Sequence, residues 1–174
     1  MDPLRGIRRV HQIRAYRDED VPSEVVDRLL ELARWTGSSR NLQPWHFIVV
    51  RDKATLSAIA ALRPNITWLA KAPVGILIVL DGPGHEYDEG RVTERLLTGA
   101  TLLGYGGGVA WFQDGGNEDT VKRILAIPKD KVTRQIVMIG RPLTHEDPRP
   151  TGPERGRKPL SELVSYERWG GERR

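Results

Sequence analysis

The residues best suited to chemistry lie in one short stretch, Gly37-Ser38-Ser39-Arg40-Asn41-Leu42-Gln43-Pro44-Trp45-His46-Phe47. Two hydroxyls, a guanidinium, two amides and an indole fall within eight positions, directly ahead of the hydrophobic segment Phe47 to Val50. A helix-to-strand connection ordinarily needs only a few polar residues and a glycine. This density of hydrogen-bonding groups fits a loop that reads a planar, polar ligand; a well-capped turn uses the same residue types. Elsewhere the chemistry is dispersed. Gly104-Tyr105-Gly106-Gly107-Gly108 follows a helical pattern rather than a strand, and Val109 stands where a dinucleotide loop needs its third glycine. His11, His46, His85 and His145 have no ligand spacing, so no metal site is expected. There is no cysteine, no Gly-x-Ser-x-Gly elbow and no Walker sequence. The carboxylates fall on helix surfaces and loops, where solvation is the default. No side chain stands out as acid, base or nucleophile, so an enzyme built on this chain would take its reactive group from a cofactor.

Charge is unevenly placed. The chain of 174 residues has a net charge of +4. Residues 1–17 hold five arginines against Asp2, and residues 149–174 hold seven basic and four acidic residues. Residues 18–148 hold fifteen basic and eighteen acidic residues. Basic ends around an acidic body suit nucleic-acid arms, or convergence on one small anion such as a cofactor phosphate. The ends lack the aromatic interleaving of a single-strand binding surface, which favours the small anion. No apolar run is long enough to cross a bilayer, and no charged-then-apolar leader opens the chain, so a cytoplasmic protein is expected.

The elements that must position these groups alternate helix and strand. A helix is predicted over residues 2–10, then an extended Ile13 to Tyr16. Pro22-Ser23 opens a second helix, with Ser23 as N-cap, Glu24 and Asp27 in the first turn, and Gly37 as a left-handed stop. Pro44 should hold Gln43 extended. Phe47 to Val50 reads as a strand, Asp52 as the cap of a short helix, and Val74 to Leu80 as a strand covered on both faces. Glu89 to Leu103 is a small-residue helix, Val109 to Phe112 a strand, Glu118 to Leu125 a helix and Gln135 to Ile139 a buried strand. Residues 144–158 read as an extended arm, followed by an amphipathic turn at Leu160, Leu163 and Val164. An arm with apolar anchors cannot bury them alone, so it should wrap a partner, such as a second copy of the chain.

In order along the chain, Arg14-Ala15-Tyr16, Val21-Pro22, Leu29-Leu30-Glu31-Leu32-Ala33-Arg34-Trp35, Ser38-Ser39-Arg40-Asn41-Leu42-Gln43-Pro44-Trp45-His46-Phe47, Ala72-Pro73-Val74, Leu102-Leu103-Gly104-Tyr105-Gly106, Ile139-Gly140-Arg141-Pro142, Arg157-Lys158-Pro159-Leu160 and Glu167-Arg168-Trp169-Gly170 resemble the nitroreductase-type flavoenzymes. The resemblance implies an α+β fold, a mixed central sheet flanked by helices, in an intertwined homodimer. Residues 1–143 would form the FMN-binding core and residues 144–174 the arm that embraces the partner. It also implies FMN reduced by NADH or NADPH, with electrons passed to a nitroaromatic, quinone or similar acceptor by a ping-pong cycle. Other relatives dehalogenate aromatics, destroy flavin or use a deazaflavin. A non-catalytic nucleic-acid-binding protein is the more distant alternative.

Carried over residue by residue, the resemblance places His11, Gln12 and Arg14 on the FMN phosphate and ribityl chain. Val10-His11-Gln12 departs there from the usual Arg-Arg/His-Ser. Arg157 and Lys158 would meet the same phosphate from the arm, as charge-assisted donors. Ser38, Ser39 and Asn41 would contact the flavin, where an amide matches both donors and acceptors of the pyrimidine edge. Backbone N–H groups of Gly107, Gly108, Val109 and Ala110 would approach the flavin N5, and the glycines would let backbone and ring come close. A tight turn is the alternative reading of those glycines. Arg40 could face cofactor, partner or solvent. Trp45 reads as a packing residue ahead of a ligand-stacking one, and Trp68 and Trp111 as buried packing ahead of lining the substrate face. No catalytic side chain and no metal are implied.

Overall fold

Val74-Gly75-Ile76-Leu77-Ile78-Val79-Leu80 forms a strand whose seven residues are all buried, because apolar side chains leave it on both faces and each face is covered. In a computed structural model, which describes residues 3–113, 115–143 and 157–172, this strand, β2, lies inside a four-stranded sheet. Its neighbours are β1 (Trp45–Val50), β3 (Gly106–Trp111) and β4 (Gln135–Gly140), in the order β1-β2-β4-β3. All three pairings are antiparallel. Among the described residues, the mixed character expected of the sheet is confined to one parallel bridge, Gln12 to Gly107, because the N-terminal segment touches the sheet edge without adding a full strand.

Side chains alternate across the sheet as strand geometry requires. Val74, Ile76, Ile78 and Leu80 pack with Val137 and Ile139 into one apolar layer, joined by Val26, Leu29 and Ala33 and by Val92, Leu96 and Ala100. Those two sets come from α2 (Ser23–Arg34) and α4 (Glu86–Leu102). Leu77 and Val79 face the other layer with Ile136 and Met138, covered by Leu56 and Ile59 of α3 (Lys53–Ala60) and by Ile66 and Leu69 of a 3-10 segment, Pro64–Lys71. A helix α1 (Pro3–Arg8) precedes this body, and α5 (Asn117–Ile124) joins β3 to β4.

The main elements expected from sequence are present, with shifted ends. Asp52 caps α3 as expected: its side chain accepts from the Thr55 N–H. Ser23 does not cap α2, since Pro22 occupies the cap position and no side chain bonds there. The glycines Gly106 to Gly108 lie inside β3 rather than in a turn, and Gly104, with φ 81°, takes the left-handed position instead. The chain divides into two compact units at Leu143 and Thr144. In the second, Leu160–Leu163 forms the short helix α6, and Leu160, Leu163 and Trp169 are exposed. The expected extended arm falls largely on 144–156, outside the described residues.

Candidate functional site

The polar loop begins where α2 ends. Gly37 does not supply a left-handed stop. Instead its carbonyl is an anchor: Arg91 of α4 donates to it from Nη1 at 2.5 Å, and Arg91 Nη2 stands 2.9 Å from where a Cβ would be. Arg91 also lies over the Tyr87 ring and 3.7 Å from Asp88. Beyond this tie the left-handed residues are Arg40, Asn41 and Gln43, with φ of 52°, 57° and 50°. Asparagine tolerates that region, whereas arginine and glutamine enter it at a cost. Gln43 is therefore not extended before Pro44. Its N–H donates to Ser38 Oγ at 2.8 Å, and its carbonyl accepts from the Trp45 N–H at 2.8 Å, so the turn closes against the proline preference. Ser38 is thereby committed to holding the turn, while Ser39, Arg40 and Asn41 are exposed.

A second group of expected residues gathers on the open edge of β3. The Ile13 N–H donates to the Gly107 carbonyl at 2.8 Å, and the Val109 N–H donates to Gln12 Oε1 at 3.1 Å. The close approach that Gly108 permits is to the chain itself: a Cβ there would collide with the Ile13 carbonyl and meet Trp68 and Tyr16 Oη at 3.0 and 3.1 Å. Tyr16 donates from Oη to the Ile13 carbonyl, and burial pushes its phenol well above the ordinary value. Arg14 is exposed, its guanidinium 5.9 Å from the centre of the Trp68 ring. Trp68 is partly buried against the core, as is Trp45. His11 is exposed, with Nδ1 2.9 Å from the Arg9 carbonyl. The structure thus brings His11, Gln12 and Arg14 to the strand that carries Gly107, Gly108, Val109 and Ala110. Ser38, Ser39 and Asn41 lie in a separate turn tied to α4, and Arg157 and Lys158 are exposed in the second unit.

One polar cluster has no counterpart in the sequence reading. Arg134, ahead of β4, donates from Nε and Nη2 to Glu89 Oε2 at 2.9 and 2.5 Å and from Nη1 to Glu86 Oε1 at 2.8 Å. Gln135 Nε2 donates to Thr93 Oγ1 at 2.7 Å, and Thr93 donates to the Glu89 carbonyl. Glu89 is only 3% exposed, and burial pushes its carboxyl above the ordinary value against the pull of Arg134. These groups line a cavity of about 350 Å³ together with Gln12, Val109 and Trp111. Trp111 is 42% exposed rather than packed inside, because β3 ends at the sheet margin there. No spacing rule links Glu89 to a residue forty-five positions away, so only the fold reveals the pair.

A four-stranded antiparallel sheet covered by α2 and α4 on one face and by α3 and the 3-10 segment on the other defines an α+β fold. Residues 7–75 match the family model described as "Nitroreductase family". The chain is 30% identical over 151 residues to a Methanothermobacter thermautotrophicus protein provisionally named NADH dehydrogenase/NAD(P)H nitroreductase, covering 82% of this chain and 78% of that one. An Archaeoglobus fulgidus protein with the same provisional name is 30% identical over 145 residues, covering 78% of this chain and 82% of that one. A crystal structure from Desulfovibrio desulfuricans, provisionally called a nitroreductase and solved in complex with FMN, superposes with a TM-score of 0.79 at 27% identity, covering 97% of this chain and 98% of that one. The chain belongs to the nitroreductase family.

Proposed function

We propose that the protein is an NAD(P)H-dependent FMN oxidoreductase that takes hydride from NADH or NADPH and passes electrons to a nitroaromatic, quinone or similar acceptor in a ping-pong cycle. The observation that carries this reading is membership of the nitroreductase family over most of the chain, joined to a donor set that suits a phosphate-bearing planar ligand. The exposed guanidinium of Arg14 suits a phosphate. The exposed amide of Asn41, carried on a left-handed turn, suits an edge with both donors and acceptors. When bound, FMN would supply the redox chemistry itself, which accounts for the lack of any obvious acid or nucleophile among the side chains.

The residues then divide the work. His11, Gln12, Arg14, Arg157 and Lys158 hold the phosphate and ribityl chain, and Ser39 and Asn41 meet the ring. Ser38 acts through the shape of the turn, since its hydroxyl accepts from Gln43. Around Gly107, Gly108, Val109 and Ala110 the contribution is placement of Gln12 and Ile13 at the strand edge, because the space beside Gly108 and the Val109 N–H are taken by the chain. Supply of Arg157 and Lys158 from a second copy requires a homodimer. Exposed Leu4, Ile7, Leu32, Trp35 and Leu102 on α1, α2 and α4 and just beyond α2 give such a dimer apolar surface to bury.

The test is direct. The purified protein should be yellow, release FMN on denaturation, oxidise NADH or NADPH with a nitroaromatic or quinone, and sediment as a dimer. Arg157→Ala should retain less FMN through dialysis. A colourless protein that neither rebinds FMN nor oxidises NAD(P)H overturns the proposal.

A further inference from the structure

We propose that the cavity beside α4 and the end of β3 binds a small aromatic ring bearing an ammonium group. Among the described residues, two buried side-chain atoms lack a hydrogen-bond partner, and one of them, Glu89 Oε1, belongs to a residue that lines this cavity. Glu89 spends Oε2 on both nearer nitrogens of Arg134. Thr93 and Gln135, which also line the cavity, satisfy one another. A buried carboxylate oxygen without a donor is costly, and a ligand N–H that reached it would remove the cost.

Charge points the same way. Glu86, Glu89 and Glu94 line the cavity, and Arg134 is the single basic group among its lining residues. That arginine is engaged by two of those carboxylates. The excess is negative whether or not Glu89 carries a proton. The wall also presents Trp111, with Leu97 and Val109. The Arg134 guanidinium already lies 5.9 Å from the centre of the Trp111 ring, so the remaining indole surface beside the carboxylates suits an aromatic cation through stacking together with charge-assisted hydrogen bonds. An anion of the same size meets no uncommitted positive group at this wall. The consequence for turnover, a preference for cationic acceptors, rests on the oxidoreductase reading; the binding itself does not.

Isothermal titration of the purified full chain with 4-nitrobenzylamine (an ammonium at neutral pH), 4-nitrobenzoate and nitrobenzene separates charge from ring. The ammonium should bind roughly tenfold tighter than the benzoate, a difference of about 1.4 kcal/mol, and the gap should narrow with added salt. Glu89→Gln should remove about half of it, since Glu86 and Glu94 still line the cavity. Glu94→Gln, at an exposed position, should remove about half and serves if the Glu89 variant does not fold. Equal binding of the ammonium and the benzoate overturns the proposal, as does a preference unchanged in Glu94→Gln and in any folded Glu89→Gln. A colourless, inactive protein that still prefers the ammonium sinks the oxidoreductase reading and leaves the cavity. A yellow, active protein indifferent to ligand charge does the reverse.

Discussion

The margin of β3 and the turn at residues 37–43 both carry residues that could meet a ligand, but they use their polar groups in opposite ways. At the β3 margin, backbone and side chains bond inward: Gln12 to Val109, Ile13 to Gly107, and Arg134 to Glu89 and Glu86. In the turn, Ser38 and the Gln43 backbone close the loop, while the side chains of Ser39, Arg40 and Asn41 face solvent. Buried polar groups must be satisfied within the fold, whereas exposed ones are free to exchange water for a ligand. Substitutions at the first region should therefore register in stability as well as in any ligand affinity, and at the second in binding alone.

The largest expected effect is at Arg134. Arg134→Met leaves Glu89 buried without its cation and should cost about 3–5 kcal/mol in urea unfolding, the range for breaking one side of a buried pair. Pairing it with Glu89→Gln should recover most of that loss. A cost below 1 kcal/mol, roughly the worth of an exposed pair, would place Arg134 on the binding side of the comparison. The same pair fixes a pH dependence. Glu89 has its folded pKa raised chiefly by burial, so the fold holds that proton more tightly than the unfolded chain does. Its contribution is fully present below the ordinary carboxylate value and is lost as pH rises through the raised value. Wild-type stability should show that decline over this window, and Glu89→Gln should lack it.

Gly108 comes next. A methyl there meets the Ile13 carbonyl, the Trp68 ring and Tyr16 Oη from several sides, so neither strand nor segment can yield alone. Gly108→Ala should cost about 1–3 kcal/mol by overpacking and expose the Ile13 to Tyr16 segment to hydrogen exchange. If it instead leaves stability intact and weakens FMN binding, the glycine faces the ligand rather than the chain.

How far these regions were legible in sequence follows from the range of the forces involved. The periodicity of Val26, Leu29 and Ala33 and the unbroken apolar run of β2 announce their elements, because burial acts on each segment's own pattern. The Asp52 cap is equally local. The Arg91 bond to the Gly37 carbonyl spans fifty-four residues and leaves no local trace, and the glycine run Gly106 to Gly108 shows itself as strand only through its pairing with β4. The Glu89–Arg134 pair carries no local mark. The loop 37–43 was legible as a site in residue types but not in conformation, since the Ser38–Gln43 bond overrides the preference that Pro44 imposes on its neighbour.

The smallest effect on stability is expected at Asn41, and it is the one that most sharpens the contrast. Asn41 has φ 57° and an exposed side chain, and its carbonyl accepts from Gln43 Nε2. Asn41→Gly keeps the backbone in a region glycine enters without strain and keeps that carbonyl, so unfolding free energy should change by less than about 0.5 kcal/mol. Only the side-chain amide is lost. If that amide reads the ring edge of FMN, affinity for FMN should fall roughly tenfold, about 1.4 kcal/mol, with the urea midpoint unmoved. Asn41→Ala confuses the two effects, because alanine is strained at positive φ. The glycine variant separates them, and unchanged FMN affinity would make the amide a turn former like Ser38.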